Sequence, residues 1–287
     1  MNVILEAGRT DSRKSPSEVS WWKYAEAYDL LCSINPYYQE NLDSFRQWFS
    51  QLEIRPGSNI CEIGAGTGNF LFEAAKLRPD LVFTHWDWNS SMNEIASRKY
   101  KTLSATTINV TSSDLAAYPL DQGPFDAVIA VNTLYTLSAP NEFLEKIIES
   151  LKVGGVLFCI DLGRPLDTFE WAKDLAKRSL RKDGIVHTLK LVFKLREAIW
   201  QNKAIDRSQL TGRYWEHTPE AFRGVMEDVG FEVITQAVCY REKCDLVVAK
   251  RIADVELDSV NGQWSSAQVD ELRDATHELA SYARTFK

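Results

Sequence analysis

From residue 19 to residue 49 the apolar side chains recur every three to four positions, the spacing of a helix buried along one stripe. The dipeptide Asn35-Pro36 interrupts them, because proline disfavours helical backbone in the residue before it. The pattern predicts two successive helices. After the turn Arg55-Pro56-Gly57-Ser58 the period changes. Short, nearly continuous apolar runs at residues 59–63, 81–86, 106–110, 125–131 and 156–161 alternate with helix-period segments at 69–77, 91–99 and 141–151. Strands that are apolar on both faces and alternate with helices predict parallel βαβ units, with helices covering both sides of one sheet. Two further runs, 231–240 and 245–250, lie too close in sequence for a parallel crossover, so one strand must run against the others. The expected fold is therefore α/β: a doubly wound, mostly parallel, seven-stranded sheet with one antiparallel strand.

The same reading divides the chain. Residues 1–20 are mostly polar and read as a flexible leader, 21–56 as amino-terminal helices, 57–161 as the core and 218–251 as the end of the sheet. Residues 162–217 have helical periodicity and no strand pattern, which predicts a helical insertion acting as a lid. Val269, Leu272, Leu279 and Phe286 predict a carboxy-terminal helix within 252–287.

Composition narrows the function. The 287 residues carry a net charge of -7, which argues against a chain whose main task is gripping nucleic acid. The five cysteines show no paired short spacing, so neither a zinc site nor a disulfide framework is expected. No apolar run is long enough to span a bilayer, and the first residues lack a secretory pattern, so a soluble cytoplasmic protein is expected.

The candidate chemistry begins at residues 62–68, EIGAGTG, between a predicted strand and a predicted helix. Glycines there let the backbone turn sharply and approach a ligand, while the helix that follows offers free amides. A dinucleotide fingerprint would place a small residue at position 69, where Asn69 stands, and would not include the preceding acid Glu62. Two further acids follow. Asp87 ends the second run within HWDWNSSM (85–92), and Asp114, with Pro119, follows the third.

With these residues the sequence resembles the class I S-adenosylmethionine-dependent methyltransferases that act on small molecules. The likeness continues through FDAVIAVNTLYTL (125–137) and Val153-Gly154-Gly155, and more loosely through residues 222–250. It implies S-adenosylmethionine as cofactor and S-adenosylhomocysteine as product. It also implies that Glu62, Gly64 and Gly66 hold the methionine portion, Asp87 the ribose, and Asp114 with the Leu115 amide the adenine. Trp88 and Met92 would sandwich the adenine ring, Asn132 would face the sulfonium, and Tyr28 would close over the site with the amino-terminal helices. Met92 reads equally well as a core residue of its helix, and Tyr28 as a helix contact.

Methyl transfer to a hydroxyl or a protonated amine is helped by a base, and His187 and His217, with Tyr214 beside the latter, are the candidates from the insertion and its border. Asn132 is followed by Thr133-Leu134-Tyr135 rather than by two prolines and an aromatic, which disfavours DNA adenine and peptide glutamine as acceptors. Residues 164–213 hold twelve basic and six acidic side chains. Lys173, Lys177 and Arg181 share one helical face and Phe169, Ala172, Leu175 and Ala176 another, with Leu189, Val192, Phe193, Ile199 and Trp200 repeating the apolar pattern. This segregation suits a lid over an apolar or anionic acceptor, a peripheral membrane contact, or an ordinary surface helix pair. The expectation is an enzyme of small-molecule biosynthesis, monomeric or homodimeric, that methylates an O, N or C nucleophile in line. An inactive cofactor-binding subunit, a nicotinamide oxidoreductase and a protein or tRNA methyltransferase remain alternatives.

Overall fold

Asn35 closes one helix and opens the next. Its side chain accepts hydrogen bonds from the backbone amides of Tyr37 and Tyr38, and Pro36 occupies the first helical position, where no amide hydrogen is needed. The result is α1 (Trp21–Ile34) and α2 (Pro36–Gln51), as the periodicity predicts. The computed structural model describes residues 19–103, 106–113, 123–137 and 140–252. The leader up to residue 18, the carboxy-terminal segment from 253, Asp114 and Leu115 lie outside the described residues.

The sheet is built from β1 (Asn59–Ile63), β2 (Val82–Trp86), β3 (Thr107–Thr111), β4 (Phe125–Val131), β5 (Leu151–Leu162), β6 (Phe231–Cys239) and β7 (Cys244–Arg251). Their order is β3-β2-β1-β4-β5-β7-β6; β7 alone runs against its neighbours, pairing antiparallel with both β5 and β6. Chain direction along the sheet reverses between β1 and β4, so the carboxyl ends of these strands frame the crevice where doubly wound sheets bind ligands.

Helices α3 (Asn69–Leu77) and α4 (Ser90–Tyr100) lie on one face of the sheet with α2, and α5 (Pro140–Ser150) and α7 (Pro219–Asp228) lie on the other. Alternate residues of each central strand enter opposite clusters. Ile60, Ile129 and Phe158 pack with Phe45 and Phe70, whereas Cys61, Val128 and Leu157 pack with Ile147, Phe222 and Met226. Coverage of both faces is why the central strands read as continuous apolar runs.

The insertion forms α6 (Thr168–Leu210), broken at Gly184, whose φ of 79° and ψ of 175° no helix accommodates. The Thr168 amide donates to Asp206 Oδ2 at 3.2 Å and Thr188 Oγ1 donates to Ser179 Oγ at 3.1 Å, so the two arms fold back as an antiparallel hairpin. The second arm packs on α1, where the Ser20 amide donates to Gln201 Oε1 at 2.6 Å. Its buried face consists of Leu191, Leu195, Ala198 and Ile205. Phe169, Leu189, Phe193 and Trp200, which periodicity groups in the apolar stripes, are about two-thirds exposed. No helix among the described residues is long and apolar enough to cross a membrane.

Candidate functional site

The turn after β1 is shaped by three glycines with left-handed backbone: Gly64 (φ 61°), Gly66 (φ 55°) and Gly68 (φ 72°). A methyl group on Gly64 would run into the Thr133 side chain, and one on Gly68 into the Tyr100 hydroxyl. At Gly66 the nearest atom to such a methyl is Met92 Sδ, 4.0 Å away, so this glycine leaves room on the cavity side. Gly68 then caps α3 and directs the free amides of its first turn along the crevice.

Two carboxylates flank the turn. Glu62 is buried, and its Oε2 accepts the Leu71 amide at 2.8 Å. Burial, reinforced by the nearby negative charge of Asp87, pushes its carboxyl up to about 8 against the opposing pull of that amide and of Lys99. Asp87, also buried, accepts the Gly66 amide on Oδ2 at 2.8 Å and the Asn89 amide on Oδ1 at 2.7 Å. Burial raises its pKa too, and the two amides oppose the rise. Each oxygen has accepted one hydrogen bond and keeps capacity for another. Below Asp87, His85 bridges Tyr100 Oη and Asn93 Oδ1 at 2.8 Å each, and Asn93 Nδ2 donates to the Asp87 carbonyl at 2.9 Å. Burial lowers His85 to about 4, so this imidazole is neutral and fixes the strand end as a hydrogen-bonding strut.

A cavity open to solvent at its mouth lies over this floor. Glu62, Gly64, Gly66, Asp87, Met92 and Asn132 line it, as do Tyr28 from α1 and Trp88 at the rim, about half exposed. The described members of the cofactor set thus converge on one space. Asn132 closes β4 with φ 52°, an uncommon conformation for a side-chain-bearing residue; its amide donates to Ile160 O at 2.7 Å and its Oδ1 accepts from Cys244 Sγ at 3.7 Å.

The three candidate bases fall elsewhere. His217 stacks on Phe222 with ring centroids 4.5 Å apart, and lies 3.0 Å from Asp245 Oδ2 and 3.6 Å from Asp161 Oδ2. Burial works against its charge, but the two carboxylates outweigh it and raise its pKa. Arg164 closes the same network on Asp245 at 2.5 and 3.1 Å. His217 therefore ties the lid's end to β5 and β7 and does not line the cavity. His187 stands exposed beside the Gly184 bend, 4.0 Å from Asp183 Oδ2, and does not line the cavity. Tyr214 packs edge-on against Tyr135, centroids 5.5 Å apart, behind the cavity wall.

The cavity roof is a set of aromatic and amide side chains that periodicity alone did not single out. Tyr24, Tyr38, Tyr135 and Tyr240 line it beside Tyr28, together with Asn35 and Asn202. Asn35 Nδ2 donates to Tyr240 Oη at 2.6 Å, and Asn202 Nδ2 donates to Tyr24 Oη at 3.0 Å. Burial pushes all five phenols up, so they remain protonated and serve as hydrogen-bond donors and apolar walls. Tyr240 reaches the site from a β6–β7 turn in which Tyr240, Arg241 and Glu242 all have positive φ, and it stacks on Trp171 of α6 at 4.7 Å.

A family model described as a methyltransferase domain matches residues 34–236. The chain belongs to that methyltransferase family. Its seven-stranded sheet and glycine turn are those of the class I, S-adenosylmethionine-dependent members. Over 153 residues, 51% of this chain and 59% of the relative, it is 27% identical to a demethylmenaquinone methyltransferase of Symbiobacterium thermophilum. Over 131 residues, 45% of this chain and 54% of the relative, it is 27% identical to a carboxy-S-adenosyl-L-methionine synthase of Campylobacter jejuni. The match thus spans little more than half the length of these curated relatives. Among solved structures, an O-methyltransferase family protein from Burkholderia thailandensis superposes with a TM-score of 0.53 at 16% identity, covering 80% of this chain and 60% of that one. The magnesium protoporphyrin IX methyltransferase of Synechocystis with bound SAH gives 0.51 at 16% identity, covering 75% and 83%. At such identities the likeness is one of fold.

Proposed function

We propose that this methyltransferase moves the methyl group of S-adenosylmethionine to a nucleophile of a small organic acceptor. The observation that carries the reading is the meeting of Glu62 and Asp87 on either side of the glycine turn, at the point where the sheet changes direction. The cavity fits the cofactor chemically. Glu62 is a buried carboxyl held well above its ordinary pKa, a state that an ammonium group beside it relieves. Asp87 keeps acceptor capacity for a pair of ribose hydroxyls, Gly66 leaves space for a close approach, and Met92 and Trp88 offer surfaces for a flat ring. Asp114 and the Leu115 amide would complete the adenine end.

Bound S-adenosylmethionine supplies a methyl group already activated by the sulfonium. The chain's own contribution is then alignment and exclusion of water, which together are worth up to about 7–11 kcal/mol when the nucleophile is well placed. α1, with Tyr24 and Tyr28, closes one side, and the second arm of α6, with Asn202 and Ile205, closes another. Among the described residues lining the cavity there is no histidine. The phenols and amides there can orient an acceptor by donating hydrogen bonds. The relatives named above take their names from demethylmenaquinone and from carboxy-S-adenosyl-L-methionine, both small molecules, which agrees with an enclosed acceptor space. At the bend of α6, exposed Ile185, Val186, Leu189 and Phe193 are interleaved with Arg181, Lys182, Lys190 and Lys194, a surface suited to peripheral contact with an anionic membrane.

Calorimetric titration with S-adenosylhomocysteine tests the cofactor site. Asp87→Ala leaves the Gly66 and Asn89 amides without their acceptor and removes the ribose partner, so affinity should fall at least about tenfold. Unchanged affinity would refute the placement.

A further inference from the structure

A second cavity, open to solvent on one side, lies between the two arms of α6. Ala172, Leu175 and Ala176 of the first arm face Leu191, Leu195 and Ile199 of the second across it. The gap is not a splayed end. The arms are joined at one end by the Thr168–Asp206 hydrogen bond and at the other by the Thr188–Ser179 hydrogen bond, and the space is held open between these two points. Trp171, stacked on Tyr240, further props the first arm against the β6–β7 turn. The small side chains of Ala172 and Ala176 leave the volume unfilled where larger residues would have zipped the hairpin shut.

This space adjoins the cofactor cavity: Leu31, Asn35, Leu166, Asn202 and Tyr240 line both. The polar members of that shared ring are the amides and the phenol, whereas the outer part of the cleft is mostly apolar, with Thr168 and Lys173 as its polar members, and opens past Phe169 and Val192 at the surface. Polarity therefore falls along a single path, from the carboxylates of the floor, through a ring of hydrogen-bonding side chains, to a hydrocarbon-lined cleft.

From this gradient we infer that the cleft holds the hydrocarbon chain of an amphiphilic acceptor whose polar, reactive head lies in the cofactor cavity. The inference rests on the methyltransferase reading for the identity of the head's site. It assigns the acceptor's class: a small polar or aromatic head carrying a long apolar tail. Each methylene transferred from water into the cleft should contribute up to about 0.8 kcal/mol, roughly a fourfold gain in affinity.

A ladder of 4-alkylphenols used as probes, each below its aggregation concentration, tests this on the full chain in the presence of saturating S-adenosylhomocysteine. Affinity should rise at least about 100-fold from 4-ethylphenol to 4-octylphenol. Ala176→Trp, which fills the cleft, should reduce that ratio below about tenfold while S-adenosylhomocysteine affinity stays within about twofold of wild type. Val192→Asp, at the exposed rim, places a charge on the cleft wall without disturbing buried packing and should cut the ratio as well, so the test survives if the tryptophan variant fails to fold. A flat response in the wild type, as expected if a polypeptide segment or a second copy fills the cleft, overturns the inference. So does a steep response that neither variant alters. Loss of S-adenosylhomocysteine binding in the wild type would instead overturn the cofactor reading, and the ladder measured without it would still judge the cleft.

Discussion

On the floor of the first cavity, the proposed cofactor site, the chemistry is fastened to the backbone: Glu62 to the Leu71 amide, Asp87 to those of Gly66 and Asn89, and three glycines hold conformations that side chains resist. The α6 hairpin is arranged in the opposite way. Its Phe169, Leu189, Phe193 and Trp200 stand mostly in water, its arms enclose open space, and its principal ties are at its ends and along α1. Pre-placed acceptors suit a cofactor of fixed shape, because binding then costs little reorganisation. An apolar, loosely filled hairpin suits a partner that supplies the missing contacts. Substitutions on the floor should therefore alter cofactor affinity or stability, and substitutions of the hairpin's exposed side chains should leave both nearly untouched.

The sharpest test of that contrast is Gly64→Ala. The added methyl meets the Thr133 side chain, and φ of 61° is unfavourable for alanine, so S-adenosylhomocysteine affinity should fall about 100-fold or the melting temperature by more than about 5 °C. Circular dichroism and calorimetry together read both outcomes, and no change in either would dissolve the contrast. Next in size is the pH dependence at Glu62. The free carboxyl, raised to about 8, is protonated at pH 6, whereas an ammonium partner requires the carboxylate. Binding must then release a proton, and affinity should climb by up to about tenfold per unit as pH rises from 6 towards 8. Glu62→Gln should bind more weakly and remove that slope; a slope retained in the variant would assign it to another group. Smallest of all should be the double substitution Leu189→Ser with Phe193→Ser. Both side chains are exposed, so the melting temperature should move by no more than about 2 °C and cofactor affinity by less than twofold. If the tip touches membrane, sedimentation with phosphatidylserine vesicles should drop, and salt should weaken it in the wild type.

How far the sequence could be read follows the same division. The strands and their alternation with helices, the lone antiparallel strand and the glycine turn were legible because a parallel sheet covered on both faces leaves a plain periodic signature, and because Glu62 and Asp87 sit at strand ends that such a sheet brings together. The roof was not legible. Tyr24 and Tyr38 come from the consecutive helices α1 and α2 and Tyr240 from the far-off β6–β7 turn, and each reads only as a buried aromatic until the fold assembles them. His217 was misplaced for a related reason: nothing local tells an imidazole facing a substrate from one held by Asp161 and Asp245, the latter a strand residue 28 positions further on. In the hairpin, helicity was plain, but which apolar side chains are buried was not: Phe169 shares its predicted stripe with buried Leu175 and yet stands exposed, as do Leu189 and Phe193, because the turn at Gly184 sets which stripe each arm turns inward. Asp114 and Leu115, named for the adenine end, lie outside the described residues.

The central claim is that Glu62, the glycine turn and Asp87 form one cofactor site selective for an adenosyl sulfonium. Side-by-side calorimetric titration of the wild-type protein with S-adenosylmethionine, S-adenosylhomocysteine and NADH tests it most directly. The account predicts saturable one-to-one binding of the first two and at least about 100-fold weaker binding of NADH. Preference for NADH, or no saturable binding of either sulfur nucleoside, would contradict it.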